Sequence, residues 1–523
     1  MGTGLEVAVR KISSVNPATD EVLRELECAN ESDVRAAVAR ARTAQASWAE
    51  IGVRKRIAVL REFQHGLHEK KSEIAEAISR EAGKPVVEAL TTEILVVLDA
   101  ARFLIDNAYR LLRDEPIPHG NLATKLKRGL LVREPCGVVG IISPWNYPLS
   151  IPATEALTAL VAGNAVVLKP SEFTSVVAVE LRALLHAAGV PADIFQVIVG
   201  DGAAGAALIQ SPIDKLVFTG SVATGKRIAT AAAERLLPVV LELGGKDPML
   251  VLDDADVEVA SSAAVWGAFM NAGQTCLSIE RCYVHRSLYE PFLKACVEKT
   301  KKLRVGSGLD PATDVGPMIR EQQLRTVEAH IEDAVARGAR VLVGGSRLPE
   351  LGRNFYKPTV LVDVSHKMRI MREETFGPVL PVAPFDSDDE AVRLANNSEF
   401  GLAASVWTRD KIRGERLARR IQAGTVMVND VISCFGISEA PHGGVKSSGN
   451  GRAHGRFGLE EMVRLKYLDV DLTPGIKKIW WYGYGALFAG QMKGFLDMQF
   501  ARRLGARLRG AVLAAGVIRR KPL

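Results

Sequence analysis

The segment CGVVGIIS at 136–143 is a short apolar run between polar turns, and it is the first of five such runs. The others are Ala165–Leu168, Phe195–Val199, Leu216–Phe218 and Val239–Leu241. The segments between them, which are predicted to be helices, are 151–163, 176–188, 202–210 and 224–235. Buried strands that alternate with helices indicate a doubly wound α/β domain with a parallel sheet.

Further elements flank this domain on both sides. Residues 31–113 are predicted to be helical, with capping residues at 30–33 and helices over 54–81 and 86–112. A second α/β series has strands predicted near 282–285, 340–343, 359–361, 404–407 and 425–428, with helices near 255–272, 287–302, 320–337, 387–395 and 411–420. A chain of 523 residues is too long for one ordinary core. This pattern therefore predicts two Rossmann-like domains.

The positive charge of the chain is confined to its C-terminal end. Residues 475–523 carry ten Lys and Arg against one Asp, so the net charge of +7 leaves the other 474 residues at −2. A near-neutral body argues against nucleic acid as a partner. The six cysteines are too few for a disulfide framework, and neither a signal peptide nor an apolar run of membrane-spanning length is visible. We therefore expect a cytoplasmic protein.

Several segments place chemically useful side chains at predicted turns. Cys276 follows a polar GQT run, and Glu242 is a lone acid among apolar residues. A thiol and a partly buried carboxylate together favour covalent chemistry at a carbonyl group. Asn146 lies at the end of a strand, where α/β sheets bind ligands. The segment FTGSVATG at 218–225 is a glycine-bounded turn that opens a helix, which suits an anion.

Each of these features also has an ordinary structural explanation. The glycine turn departs from the Gly-x-Gly-x-x-Gly fingerprint and is common between a strand and a helix. Lys169 and Glu172 are three residues apart and could form a solvated surface pair. Asn146 could be a turn residue, and Cys276 a small buried hydrophobe. Glu242 is the hardest to explain in this way, because burying an unpaired acid is costly.

Taken together, the segments resemble the aldehyde dehydrogenase superfamily over residues 12–473. Five elements carry the resemblance, and they occur in the order and at the spacing of the family. They are PWN at 144–146, KPSE at 169–172, FTGS at 218–221, ELGGK at 242–246 and GQTC at 273–276. Two later segments that also match are EETFGPV at 373–379 and GGVKSSG at 443–449. His442 stands where the family usually has Phe, and we interpret this as a loop substitution.

The resemblance implies a site without metal. Cys276 would attack the aldehyde carbon, Glu242 would activate water for thioester hydrolysis, and Asn146 with the Cys276 N–H would stabilise the oxyanion. The cofactor-binding positions implied are Ile142, Trp145, Lys169, Ser171, Glu172, Gly220, Ser221, Gly225, Leu243, Glu374 and Phe376. A carboxylate at 172 would repel a 2′-phosphate, so we expect NAD over NADP, although Lys169 leaves NADP as an alternative. Cys282 lies in an alternating, strand-like run and is expected to be a core residue.

The expected organisation follows from the same resemblance. Residues 1–116 and 136–244 would form the NAD-binding domain, and 245–435 the catalytic domain. Residues 117–135 and 455–473 would pair between subunits of a dimer or tetramer. The substrate pocket is expected to be apolar, near 145–149, 266–270, 275–277 and 433–436, and to include Trp266, Phe269, Met270 and Phe435. A semialdehyde dehydrogenase and a non-catalytic, membrane-associated relative are the alternatives.

Residues 475–523 extend beyond the usual end of the family. They mix aromatic residues with clustered arginines. Such a segment suits an anionic membrane surface, where long-chain aldehydes would be natural substrates. Packing of a helical extension on a neighbouring subunit explains it equally well.

Overall fold

The computed structural model describes residues 10–121 and 124–519. Its strands are β1 (Lys11–Val15), β2 (Val22–Glu27), β3 (Glu115–Ile117), β4 (Lys127–Pro135), β5 (Val138–Ile142), β6 (Ala165–Lys169), β7 (Phe195–Val197), β8 (Lys215–Thr219), β9 (Val239–Glu242), β10 (Asp247–Val251), β11 (Ile279–His285), β12 (Arg340–Val343), β13 (Thr359–Val362), β14 (Val379–Phe385), β15 (Ala403–Trp407), β16 (Thr425–Val428), β17 (Gly449–Asn450) and β18 (Val463–Asp471).

The helices complete the element order. They are α1 (Glu31–Glu50), α2 (Val53–Glu69), α3 (Lys71–Ala82), α4 (Val86–Glu88), α5 (Leu95–Leu111), α6 (Ser150–Ala162), α7 (Ser175–Ala187), α8 (Gly202–Gln210), α9 (Val222–Ala233), α10 (Val257–Phe269), α11 (Tyr289–Lys302), α12 (Glu321–Ala336), α13 (Asp388–Asn396), α14 (Lys411–Ala418), α15 (Gly455–Glu461), α16 (Ala486–Phe500) and α17 (Leu504–Ala514).

The first large sheet has six strands in the order β17-β9-β8-β5-β6-β7. Strands β5 to β9 pair in parallel, and only the short β17 runs antiparallel, against β9. The register pairs Ile142 with Lys169 and Thr219 with Glu242, so the carboxyl ends of four strands meet at one edge. The predicted doubly wound α/β fold is confirmed.

The second large sheet has seven strands in the order β12-β13-β14-β11-β10-β15-β16. All neighbours pair in parallel except β12 and β13. Two of its strands were missing from the sequence prediction. β10 begins with Asp247 and Pro248, and β14 contains Pro381 and Pro384, residues that disfavour strands when judged by local sequence alone.

The helical region before the first sheet differs from the prediction at two points. The helix expected over 54–81 is interrupted at Lys70, which separates α2 from α3. The helix expected over 86–112 contains a π-helical turn at Ala89–Ile94 between α4 and α5. A π-helical turn shifts the helical register, and here it carries the fully buried Glu93.

Helix α6 is buried along its whole length. Its sequence is almost entirely apolar, and Thr154 and Thr158 donate their hydroxyl protons to backbone carbonyls one turn earlier. The exception is Glu155, an acid at the centre of this helix that is 5% exposed. A buried acid in such surroundings needs a polar partner or a functional reason.

The described chain divides into two compact units. One comprises residues up to Arg113 together with Glu134–Arg464, and it contains both large sheets. The other comprises Asp114–Arg133 and the chain from Leu465 onward. This second unit contains β3, most of β4 and β18, and the helical hairpin of α16 and α17. Within the described residues, no helix is long and apolar enough to cross a membrane.

Candidate active site

A cleft of about 440 Å³ lies where the carboxyl ends of the strands of the first sheet face residues from the second. The residues proposed from the sequence that line it are Trp145, Asn146, Lys169, Ser171, Glu172, Gly220, Ser221, Glu242, Leu243, Cys276, Glu374 and Phe376. Ile142 and Gly225 do not line it. Ile142 is buried in β5, and a side chain at Gly225 would collide with Leu243, at 2.5 Å.

Other residues of the cleft were not foreseen from the sequence. Arg320 stacks on Phe173, with its guanidinium carbon 4.5 Å from the ring centroid. Gln323 donates to the carbonyls of Thr375 and Phe376, at 3.0 and 3.1 Å. These contacts join segments about 50 or more residues apart in sequence, so no local pattern indicates them. A larger groove of about 1050 Å³ beside Cys28 contains none of the proposed site residues.

Asn146 is held by a buried polar network. Its side-chain amide donates to the carbonyl of Gln274, at 3.0 Å. Its own carbonyl accepts from Lys84 Nζ at 2.8 Å and from Asn271 Nδ2 at 3.0 Å. The amide of Asn146 is therefore directed toward the segment that leads into Cys276.

The segment before Cys276 turns sharply. Asn271 and Ala272 have φ of 53° and 54°, a left-handed conformation that is rare outside glycine. The turn ends α10, and Tyr147 and Thr275 share a hydrogen bond of 2.8 Å between their hydroxyls. As a result Cys276 is half-buried in the cleft wall, whereas Cys282 is fully buried in β11. The predicted core position of Cys282 is confirmed.

The glycines of the ELGGK segment allow close approach of other groups. A Cβ atom at Gly244 would lie 2.3 Å from Glu374 Oε2, and one at Gly245 would lie 2.3 Å from the carbonyl oxygen of Cys276. Gly245 N–H also donates to Glu374 Oε1, at 2.9 Å. Both glycines are thus required where the strand carrying Glu242 meets the segments of Cys276 and Glu374.

Glu242 is 5% exposed at the end of β9, and within residues 10–121 and 124–519 neither of its carboxyl oxygens has a hydrogen-bond partner. Burial, followed by the negative charge of Glu155, raises the pKa of Glu242 well above its usual range. The imidazole of His442 faces the carboxyl, with 3.9 Å between Nε2 and Oε2. Burial lowers the pKa of His442 to about 3, so this ring is neutral at physiological pH.

The thiol of Cys276 is also held in its protonated form. Burial raises the pKa of Cys276 well above that of a free cysteine, and the nearby carboxyls of Asp247, Glu374 and Glu242 act in the same direction. Burial thus favours the protonated form of both the thiol and the carboxyl in the free protein. Arg452 lowers the pKa of Glu242, but the opposing effect of burial is larger.

The opposite end of the cleft has the polar groups expected for a dinucleotide. Lys169 Nζ lies 3.5 Å from Glu172 Oε2, and Ser221 caps the N-terminus of α9, accepting from Thr224 N–H at 3.4 Å. Phe376 packs edge-on against Trp145, with 5.4 Å between ring centroids. The structure thus places the candidate nucleophile, acid and amide in one cleft with the N-terminus of α9, a type of position that suits an anion.

A second cavity, of about 260 Å³, reaches Cys276 from another side. In the described part of the chain, no charged residue lines it. Its walls come from Thr91, Thr92, Val96, Tyr147, Ile151, Trp266, Met270, Thr275, Cys276, Leu277, Ile432, Ser433, Phe435 and Gly436. Phe269, which was expected here, does not line it and is 2% exposed in the core. Thr91, Thr92 and Val96 were not foreseen, because they come from the helical region before the sheet.

The fold and this site together define a doubly wound oxidoreductase with a cysteine between two cavities. The sequence model of the Aldehyde dehydrogenase family matches residues 6–468, and the chain belongs to this family.

Named relatives agree with this assignment. A 4,4'-diapolycopene aldehyde oxidase from Methylomonas sp. is 41% identical, covering 93% of this chain and 91% of the relative. A putative succinate-semialdehyde dehydrogenase [NADP(+)] from Mycolicibacterium smegmatis is 39% identical, covering 86% and 88%. A solved NAD+ complex of aldehyde dehydrogenase from Bacillus cereus superimposes with a TM-score of 0.85 at 37% identity, covering 88% of this chain and 94% of that one.

The raised pKa of Cys276 predicts a slow thiol in the free protein. A higher pKa means a smaller thiolate fraction at any given pH, so alkylation by iodoacetamide should be slower than for an unfolded cysteine of pKa about 8.5. The rate of alkylation should still rise about tenfold per pH unit at about pH 9. Mass spectrometry of the peptide that contains Cys276 would measure this rate. A plateau below about pH 8 would contradict this environment.

Proposed function

We propose that the chain oxidises an aldehyde to a carboxylic acid with Cys276 as nucleophile and Glu242 as the base of deacylation. The observation that carries this proposal is the placement of Cys276, Glu242 and Asn146 on the walls of one cleft. Attack of the sulfur on the carbonyl carbon generates an oxyanion. The Asn146 amide and the Cys276 N–H are suitable donors for it. A bound nicotinamide would accept the hydride, which would leave a thioester on Cys276 for water to hydrolyse.

The polar end of the cleft suits a nicotinamide dinucleotide, which would accept the hydride. Lys169 and Glu172 would bind the hydroxyls of the adenosine ribose, and Ser221 with the start of α9 would bind the pyrophosphate. Glu374 would bind the second ribose. Glu172 favours NAD, because its carboxylate repels a 2′-phosphate. NADP remains an alternative that the name of the M. smegmatis relative supports.

Two cysteine variants test the assignment of the nucleophile. Cys276→Ala should reduce NADH formation by a factor on the order of a thousand or more, because the covalent step is lost. Cys282→Ala should retain activity, because Cys282 lies in the core of β11. A burst of NADH from Glu242→Gln, followed by a slow phase, would place Glu242 in deacylation. Activity that survives Cys276→Ala would refute the mechanism.

The substrate we propose is an apolar aldehyde. Among the described residues, no arginine or lysine lines the cavity that leads to Cys276, so none is placed there to bind a second carboxylate. Its aromatic and aliphatic walls instead favour an alkyl or polyene chain, as the name of the Methylomonas relative also suggests. A semialdehyde is the second candidate, and the name of the M. smegmatis relative favours it.

A series of aldehydes of increasing chain length distinguishes the two candidates. Each methylene that enters the cavity should raise kcat/KM about fourfold, from about 0.8 kcal/mol of burial. Trp266→Ala, in the cavity wall, should weaken this dependence, whereas Phe457→Ala, on an exposed surface outside the cavity, should leave it unchanged. A kcat/KM for succinic semialdehyde above that of all the alkyl aldehydes would favour the second candidate.

We also propose that the C-terminal hairpin binds an anionic membrane surface. Its helices expose large apolar side chains, including Leu487 at 78%, Leu504 at 71% and Val512 at 77%. Arg502, Arg503, Arg507 and Arg509 lie at and beside the turn between them. Exposed apolar groups beside clustered cations are typical of helices that lie in the headgroup region. Such a surface would bring the enzyme to long-chain aldehydes dissolved in the bilayer.

Co-sedimentation with vesicles that contain phosphatidylserine tests this surface. The triple variant Leu487→Gln, Leu504→Gln, Val512→Gln should bind at least tenfold more weakly than the unchanged protein, since three buried side chains are lost. Leu236→Gln and Ile412→Gln, at apolar positions 90% and 80% exposed in the first unit, are the matched controls and should bind normally. Equal binding by all variants would indicate that the hairpin packs on a neighbouring subunit instead.

A further inference from the structure

A small closed cavity lies behind the carboxyl group of Glu242. Its volume is about 20 Å³, which is enough for one water molecule. Its polar lining comes from Thr154, Glu155, Thr219, Glu242, Cys276, His442 and His454. Several of their buried polar atoms have no hydrogen-bond partner among the residues that the structure describes: both oxygens of Glu242, Oε2 of Glu155 and Nδ1 of His454. A cavity with this many unpaired polar atoms is built to hold a polar species.

Two acids face this cavity from different elements. Glu242 ends strand β9, and Glu155 projects from the middle of the buried helix α6. Thr219 Oγ1 lies 3.2 Å from Glu155 Oε1 and donates to it, which favours the ionised form of Glu155. Burial nevertheless raises the pKa of Glu155 to about 8. Two carboxyls that face one buried cavity resist simultaneous ionisation, because each charge opposes the other.

The other groups around Glu242 do not neutralise the pair. His442 and His454 are buried and neutral, since burial lowers the pKa of His454 to about 4 as it lowers that of His442. Arg452, from the loop before α15, lowers the pKa of Glu242, whereas Glu461 of α15 and Glu155 raise it. The remaining titratable group in the lining is the thiol of Cys276. Glu155 has the largest effect on Glu242 of any charged neighbour.

We propose that Glu155 and Glu242 share one proton across this cavity, and that Glu155 thereby determines the pH at which Glu242 becomes the base of deacylation. This inference rests on the proposed function of Glu242. A water molecule in the cavity passes the proton: one carboxyl gives a proton to the water as the water gives another to the second carboxyl. One O–H bond forms for each that breaks, and the pair keeps a charge of −1. Glu155 touches no reacting atom, so it is a positioning residue.

The rate of deacylation in Glu155→Gln tests the shared proton. The amide retains an acceptor for Thr219 but removes the negative charge, so the pKa of Glu242 should fall. The steady-state rate that follows the NADH burst, measured from roughly pH 5 to 10, should therefore reach half its maximum about one pH unit lower than in the unchanged enzyme. The burst itself should keep its amplitude. Glu155→Asp, which retains the acid, should keep the midpoint close to that of the unchanged enzyme.

His442→Phe is the matched control at the same cavity. The histidine is neutral throughout this pH range, so its loss removes no charge, and the midpoint should stay in place. A purely structural role for Glu155 would lower the rate at every pH without moving the midpoint, and that result would overturn the proposal. An equal shift in His442→Phe would do the same. Failure of the proposed function would give a different result, because aldehyde oxidation would then survive in the Cys276→Ala variant.

Discussion

The buried ion pair of Lys84 and Glu93 holds the Asn146 side of the site in place. Both side chains are completely buried, with 2.7 Å between Lys84 Nζ and Glu93 Oε1. Lys84 also donates to the carbonyl of Asn146, and the other oxygen of Glu93 accepts from Leu149 N–H at 3.0 Å and Ser150 N–H at 2.7 Å. The pair therefore fixes the loop of Asn146 and the first turn of α6 together. Removal of one partner from a buried pair typically costs about 3–5 kcal/mol, because the other charge is left unpaired.

A buried ion pair also fixes a loop beside the second sheet. Lys246 and Glu280 form a buried ion pair, and Glu280 accepts from the N–H groups of Thr375 and Phe376, each at 2.9 Å. This contact holds Phe376 at φ 53°, a conformation that a bulky residue adopts only when its surroundings impose it. Glu374 and Phe376 are thereby presented to the cleft. Each sheet thus contributes one loop, and each loop is fixed by a buried charge pair rather than by its own sequence.

The contrast between these loops and the sheets explains how much the sequence could predict. Strands β5 to β9 are short apolar runs, so local pattern was enough to find them, and Cys276, Glu242 and Asn146 stand out because polar groups interrupt such runs. Arg320, Gln323 and Thr91 carry no such local signal, because they reach the cavities only through tertiary packing. The position of Glu155 could not be predicted for the same reason. The local sequence predicts a helix, but only the packed structure shows that this helix is buried and that Glu155 and Glu242 line the same cavity.

The burial that assembles the site also favours the protonated forms of Cys276 and Glu242. Cys276 is surrounded by Asp247, Glu374 and Glu242, so forming a thiolate there would add a negative charge to a region already rich in acids. The same desolvation holds the proton on Glu242. Ionisation of either group becomes favourable only when positive charge enters the cleft or when a neighbouring acid retains its own proton. A site of this kind does not rely on a strongly basic side chain, and under the proposed mechanism its reactivity depends on which of the neighbouring acids carries the proton.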